Sequence, residues 1–299
     1  MKEKTIYAII LNYNNYDDTV NCINSFDEIT AYDIRIVLVD NASEKDCADK
    51  LEAFVAGKGN SRITFIRNNE NLGYATGNNT GIKEALKQGA EYLAIVNNDV
   101  LVNADSFTSS MNLLDEDERI AFAGPAILEY KTDKIQYTGG IINYLTLMTP
   151  HLNEGEEYQK SDKTIECDYV GGACMLFKAG IIDKIGLIPE DYFLFWEETE
   201  WCAKARQMGF KCVCTLGGYV KHKGSATIKK IKGLESYYFE RNRIMFSMRN
   251  DHNIPRKICA IVRAFMEAFA KGILRDRVFF TYFPYYIDGI KGVDNYRKK

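Results

Sequence analysis

Three stretches of the chain hold side chains that could do chemistry together. The run Tyr192-Phe-Leu-Phe-Trp-Glu-Glu-Thr-Glu-Trp201 sets Glu197, Glu198 and Glu200 where an aromatic segment meets a helix. Carboxylates at a helix start are favoured by the macrodipole, so capping is the plain account. The segment is denser in acids and aromatics than a cap requires. Trp196 and Phe195 could stack on a sugar ring while a neighbouring carboxylate deprotonates a hydroxyl. The second stretch, Glu91–Val100, is an apolar run ending in Asn97, Asn98 and Asp99. Ligands of open α/β sheets gather beyond the carboxyl ends of strands, so Asp99 is placed to hold a divalent cation against phosphate oxygens. His222, in Tyr219-Val-Lys-His-Lys-Gly-Ser225, could add a nitrogen, which tilts a choice of Mg2+ or Mn2+ slightly towards manganese. A strand-end turn and a structural histidine are the plain alternatives.

The elements that must position these groups are legible in the first hundred residues. Ile6–Leu11, Ile34–Val39, Ile63–Ile66 and 93–96 are short apolar runs, and helix-like segments fall near 17–26, 45–56 and 78–89. This β-α-β-α-β-α-β order predicts an α/β fold with a mostly parallel central sheet flanked by helices. Each strand ends in polar residues: Asn12–Asn14, Asp40–Ser43, Asn68–Asn71 and Asn97–Asp99. Asp40, at the end of the second strand, could accept hydrogen bonds from a nucleotide's ribose or base, or could close an Asx turn. Beyond Asp99 the pattern predicts a helix near 104–115 and strands near 120–128, 135–144 and 166–178. Gly139-Gly140 and Gly171-Gly172 are irregular points in it. The polar stretch 152–165 is expected to be a mobile loop. A helix at 197–208, a strand at 211–215, a helix at 235–249 and an amphipathic segment at 256–274 follow.

Several classes are excluded. No GxGxxG follows the first strand, which argues against a dinucleotide dehydrogenase, and no GxxxxGK[ST] is present for an NTPase P-loop. A nucleotidyltransferase would want a basic, glycine-rich loop after the first strand, where Asn12-Tyr-Asn-Asn-Tyr-Asp17 stands. The eight cysteines are scattered without a CxxC pair and read as reduced thiols of a cytoplasmic protein. The N-terminal apolar patch is too short for a signal peptide's core, and no run of 18 apolar residues predicts a transmembrane helix.

Taken in order, ILNYNN, VLVDNAS, NNENLGYATGNNTGI, AIVNNDV, YTGGIIN, VGGACMLF, FLFWEETEW, HKGS and YYFERNR give the chain a specific likeness. It resembles the family 2 glycosyltransferases of the GT-A (nucleotide-diphospho-sugar transferase) fold, and among them the bacterial rhamnosyltransferase-like enzymes of cell-surface polysaccharide synthesis. The resemblance covers roughly residues 5–250, and implies a catalytic domain at 1–250 with a helical extension at 251–299. It implies a metal-dependent, inverting transfer of a sugar from a nucleoside-diphosphate donor (dTDP-rhamnose or a UDP-sugar) to a glycan or lipid-linked acceptor. No nucleic acid partner is implied. In this likeness Asp99 and His222 hold Mg2+ or Mn2+. Asn12, Asp40, Asn71, Gly73, Gly77, Asn78 and Asn98 line the donor site; Glu198 is the base; Trp196 and Glu197 face the acceptor. Arg241-Asn242 matches a pair to which no role is assigned. The chain departs from the family pattern where Asn97 replaces the first Asp of a strict DxD, and where Glu198 and Glu200 replace Asp. A catalytically inactive sugar-nucleotide-binding protein is the alternative.

Charge separates the end of the chain from the rest. Residues 252–299 hold ten Lys/Arg and four Asp/Glu (+6), against 28 and 37 before them (−9). Ile258, Ile261, Val262, Phe265, Met266, Phe269 and Ile273 recur at spacings of three and four, with Arg256, Lys257, Arg263, Lys271, Arg275 and Arg277 around them. Such a segment either packs on the catalytic domain or holds the protein against anionic lipid at the inner face of the cell membrane.

Overall fold

The computed structural model describes residues 4–59, 62–224, 233–274 and 278–297. Ser225, Arg275 and Arg277, and the side chains of Lys271 and Ile273, lie outside what is described.

Alternate residues of a strand point to opposite faces, and here both faces are covered, so the strands read as near-continuous apolar runs. In β1 (Thr5–Asn12), Ile6, Ala8 and Ile10 enter one core layer while Tyr7 and Ile9 enter the other. The helices α1 (Tyr16–Ser25), α2 (Lys45–Lys58) and α3 (Gly73–Lys87) link β1 to β2 (Asp33–Asp40), β3 (Ile63–Arg67) and β4 (Tyr92–Asn97). The order β3-β2-β1-β4 is parallel throughout, as expected. There follow β5 (Val100–Leu101), α4 (Ala104–Glu116), β6 (Ile120–Glu129), β7 (Ile135–Tyr137), β8 (Thr164–Cys167), β9 (Cys174–Lys178) and the short α5 (Ile182–Ile185). Then come α6 (Glu197–Gln207), β10 (Lys211–His222), α7 (Leu234–Asn250), α8 (Ile254–Leu274) and α9 (Val278–Lys291). The sheet continues β4-β9-β6-β10-β5, with β9 antiparallel to both neighbours and β10 parallel to β6.

Some expected boundaries move for local reasons. The strand expected over 135–144 stops at Tyr137, before Gly139 at φ 84°. The one expected over 166–178 divides into β8 and β9 around Gly171-Gly172. β10 runs on past residue 215 to His222 because the pairing with β6 resumes after a register shift between Thr215 and Tyr219. The stretch expected to be mobile is irregular but tied to β7, with Ile135 N donating to Glu156 O (2.8 Å) and Gly155 N to Ile135 O (2.8 Å). The segment after residue 250 returns on the domain: Tyr237 of α7 donates to Asp288 of α9 (2.8 Å), and Arg241 Nε to Val293 O (2.9 Å).

α3 begins at Gly73, five residues before the expected start, and lies close on the sheet. A Cβ at Gly77 would stand 2.6 Å from Leu11 Cδ1. Gly77, expected at the donor site, is therefore a helix-to-sheet packing position. Gly73 combines φ 79° with a Cβ position 2.5 Å from Phe193 O, so an alanine there is both strained and crowded. Gly73→Ala is expected to lower stability by ~2 kcal/mol or more, read as a shift of the urea midpoint.

Candidate active site

The register of the parallel strands brings their polar ends level. Asn12 pairs with Asp40 across β1–β2, and Leu11 with Asn97 across β1–β4. Asn12 is the hub: its Nδ2 donates to Asp40 Oδ1 (2.8 Å) and Ser43 Oγ (3.0 Å), and its Oδ1 accepts from Thr19 Oγ1 (2.9 Å) and Asn15 N (3.3 Å). Asn98 Nδ2 reaches the same knot through Thr19 Oγ1 (2.9 Å). Asp40 Oδ2 accepts from Ser43 N (3.1 Å), which is the turn-closing role. Asn12 and Asp40 are fully enclosed. Their polar atoms are turned to Ser43, Thr19 and each other, so they brace the strand ends from behind.

The next strand end is built the same way. Asn71 Oδ1 accepts from Gly73 N (3.0 Å) and from Asn41 Nδ2 (3.0 Å), so it shapes the turn into α3. Asn41, absent from the expected site residues, also accepts from Asn68 and Leu72 N. Asn78 is fully buried; its Nδ2 donates to Tyr74 O (2.9 Å) and its Oδ1 has no partner.

Asp99 lies in the turn between β4 and β5. Because β5 pairs antiparallel with the end of β10, Val100 stands opposite His222, and Lys223 N donates to Asp99 O (3.1 Å). The side chains follow: His222 Nε2 is 3.2 Å from Asp99 Oδ1. The other ring nitrogen, Nδ1, is 2.8 Å from Gln136 Oε1, an acceptor, so Nδ1 carries the proton in the neutral ring. Nε2 then offers a lone pair to a carboxylate that also offers only lone pairs. It is buried and has no hydrogen-bond partner despite its closeness to Asp99. Two acceptors facing each other at this distance suit a positive charge held by both, which is the donor set of a small divalent cation. No group of three or more His, Cys, Asp or Glu side chains suited to a metal occurs among the described residues. The pair therefore fits an ion whose other positions are filled by water and phosphate oxygens. Gln136 had no motif to announce it.

The three glutamates separate cleanly. Glu200 is committed to the framework: it accepts from the Tyr192 hydroxyl and from Asn250 Nδ2 (3.2 Å), with Lys204 at 3.6 Å. Glu197 is 3% exposed with Oε2 unpartnered; burial, and then the Glu198 charge, push its carboxyl well above the usual range. Glu198 is half-buried and its Oε2 is enclosed without a partner. Burial raises its pKa, and the backbone amides of Glu198, Gly172 and Thr199 offset part of the rise. The turn before α6 holds Phe195 and Trp196 at φ 66° and 75°, each in the left-handed region at a cost of about 1–2 kcal/mol. Asn242 restrains it by donating to Leu194 O (2.7 Å) and Phe195 O (2.9 Å), while Arg241 Nη1 donates to Asp191 O (3.1 Å). That is the work of the Arg241-Asn242 pair. Trp196, expected as a sugar platform, is 4% exposed and packs on Phe246 (5.0 Å), so its ring offers no open face.

One short segment joins the two halves of the site. The Gly172 amide favours the ionised Glu198 carboxylate, Gly172 O accepts from the Tyr74 hydroxyl (2.8 Å), and Ala173 O accepts from Asn97 N (3.0 Å). A Cβ at Gly172 would stand 2.5 Å from Tyr74 Oη, which explains the small residue. The Tyr74 hydroxyl is pushed up by burial, then by Glu198, Glu197 and, less, by Asp99, so it feels both halves. Burial and then Glu198 do the same to Tyr137. These tyrosines were not legible as site residues, since tyrosine is frequent along the chain.

The strand ends thus bring together a half-buried carboxylate, Glu198, and the facing acceptors of Asp99 and His222, linked by one short segment of a mixed sheet. The model of the family described as glycosyl transferase family 2 matches residues 7–186, and the chain belongs to that family. It is similar to the low-salt glycan biosynthesis hexosyltransferase Agl10 of Haloferax volcanii, with 24% identity over 67% of this chain and 61% of that protein. It is also similar to the dTDP-rhamnosyl transferase RfbF of Shigella flexneri, with 25% identity over 68% of this chain and 64% of that one. The chain thus spans less than two thirds of the length of these relatives. Among solved structures it resembles GalNAc-T7 with UDP, GalNAc and Mn2+ (TM-score 0.63, 15% identity, 92% of this chain and 58% of that one). It also resembles the mannosyltransferase PcManGT of Pyrobaculum calidifontis in complex with GDP-Man and Mn2+ (TM-score 0.58, 13% identity, 98% and 88%). These likenesses establish the GT-A fold.

Proposed function

We infer that the protein is a metal-dependent, inverting glycosyltransferase. It moves a sugar from a nucleoside diphosphate, dTDP-rhamnose or a UDP-sugar, to a hydroxyl of a cell-surface glycan or lipid-linked acceptor, working in the cytoplasm. The observation that carries this reading is the Glu198 carboxylate, its Oε2 enclosed without a partner, next to the 172–173 segment that also anchors the start of the Asp99 turn. Glu198 takes the proton of the acceptor hydroxyl as that oxygen attacks the anomeric carbon from the face opposite the leaving group. The bond from carbon to the diphosphate oxygen breaks, and the proton ends on Glu198. Asp99 and His222 would hold Mg2+ or Mn2+, which supplies positive charge against the departing diphosphate. Asn71, Gly73 and Asn98 fix the turns around the donor, so that reaction becomes effectively intramolecular. The name of the rhamnosyl relative supports a dTDP-sugar, and those of the solved neighbours support UDP or GDP sugars with manganese.

Gln136 is read as the residue that sets the His222 tautomer. Gln136→Leu is expected to weaken Mn2+ binding by ~10–100-fold, the usual effect of losing an outer-shell partner, measured by calorimetry without donor. Unchanged affinity would contradict that role. The donor is tested by thermal shift with nucleoside diphosphates and nucleotide sugars, with and without Mn2+. Selective, metal-dependent stabilisation by one of them is the expected result. No stabilisation by any would contradict the reading, and binding without turnover on any acceptor would favour the inactive alternative.

A further inference from the structure

Helix α8 is turned the opposite way from a core helix. Its buried row is Ala260, Ala264 and Ala268, each 1–2% exposed, packed with Ile244, Leu147 and Tyr286. Its large apolar residues face out: Ile254 is 64% exposed, Ile258 56%, Val262 54% and Met266 61%. Spaced by four, these side chains form one continuous row about 18 Å long at 1.5 Å per residue. The sequence expectation of a single apolar face is thus split, since Ile261 and Phe265 lean inward on the same cluster. Single exposed apolar side chains are ordinary, but a contiguous row marks a surface made to be covered.

Charge indicates what covers it. The row lies in the +6 part of a chain that is otherwise −9. Arg256, bound to Asp251 (2.7 Å), and Arg263, bound to Glu267 (2.7 Å), keep 43% and 47% of their side chains exposed. No described helix is long and apolar enough to cross a membrane. An exposed apolar row in a basic segment whose helices are not long and apolar enough to span is the pattern of a helix lying in the interface. We propose that α8 docks on an anionic bilayer surface, with the Ile254, Ile258, Val262 and Met266 row inserted below the headgroups. Where the transferase reading also holds, this sets the site beside a lipid-linked acceptor.

The full chain is sedimented with phosphatidylcholine vesicles, with and without phosphatidylglycerol, and no sugar donor, so the result does not depend on the transferase reading. Binding is expected on the anionic vesicles, weakening as salt screens the basic residues. Val262→Asp with Met266→Asp should lower it about tenfold or more, because both side chains are exposed in the free protein and buried in lipid. Should that variant misfold, an environment-sensitive dye on the exposed Cys259 of the unaltered chain, beside the row, decides instead. Its emission should shift to the blue on anionic vesicles. Failure to bind them at low salt, undiminished binding by a folded double variant, or an unshifted dye would overturn the proposal. So would a dimer of this chain that the double substitution splits, without vesicle binding.

Discussion

Glu198→Gln is expected to lower turnover by about 10²–10⁴, the usual contribution of a general base, with donor binding unchanged. The amide keeps the shape of the side chain but cannot take the acceptor's proton. The pH dependence carries the same signature. Burial raises the Glu198 pKa above the ordinary 4.5, so the ionised base disappears, and kcat/KM falls, at a pH higher than an exposed glutamate would give. Stability runs the other way. A carboxyl whose folded pKa is raised favours the fold below its unfolded value and loses that contribution as pH rises through the folded one. Glu198→Gln should therefore hold or raise Tm at neutral pH while activity collapses. Glu200→Gln should do the reverse, because that side chain holds Tyr192 and Asn250. Equal turnover loss from Glu200→Gln and none from Glu198→Gln would contradict the assignment.

Asp99→Ala is expected to remove metal-dependent turnover, by ~10³-fold or more if the cation contributes several kcal/mol to the departing charge. His222→Ala should have a smaller effect, since a water can replace a neutral nitrogen more readily than a carboxylate. The observable that separates binding from chemistry is the affinity for Mn2+, which should fall in both variants. An Asp99→Ala protein with full activity in the presence of a chelator would remove the cation from the account.

The parallel half of the fold was legible because β1, β2 and β4 are buried on both faces and a helix follows each strand. The strand ends themselves, Asn12, Asp40, Asn71 and Asn97–Asp99, were legible for the same reason. What was not legible was which of those polar groups look outward. Asn12 and Asp40 satisfy each other inside the sheet, a matter of register that no motif states. The packing of Gly77 and Trp196 was not legible, because a loop glycine, or an aromatic beside acids, looks alike whether it faces a ligand or a neighbour. Their neighbours, Leu11 and Phe246, come from distant elements. Gln136, Tyr74 and Gly172 entered the site only through β7, α3 and the β8–β9 turn meeting in space. The amphipathic period of α8 was plain, but period alone does not say which row faces the body. The small alanines did.

Nucleoside diphosphate release is to be measured from a panel of dTDP- and UDP-sugars, with a mixture of glycan acceptors, in Mn2+ and again in a chelator. Release is expected from one donor class, requiring both acceptor and metal, and is lost in Glu198→Gln. Release that persists undiminished in the chelator or in that variant, or none from any donor, would contradict the transferase reading.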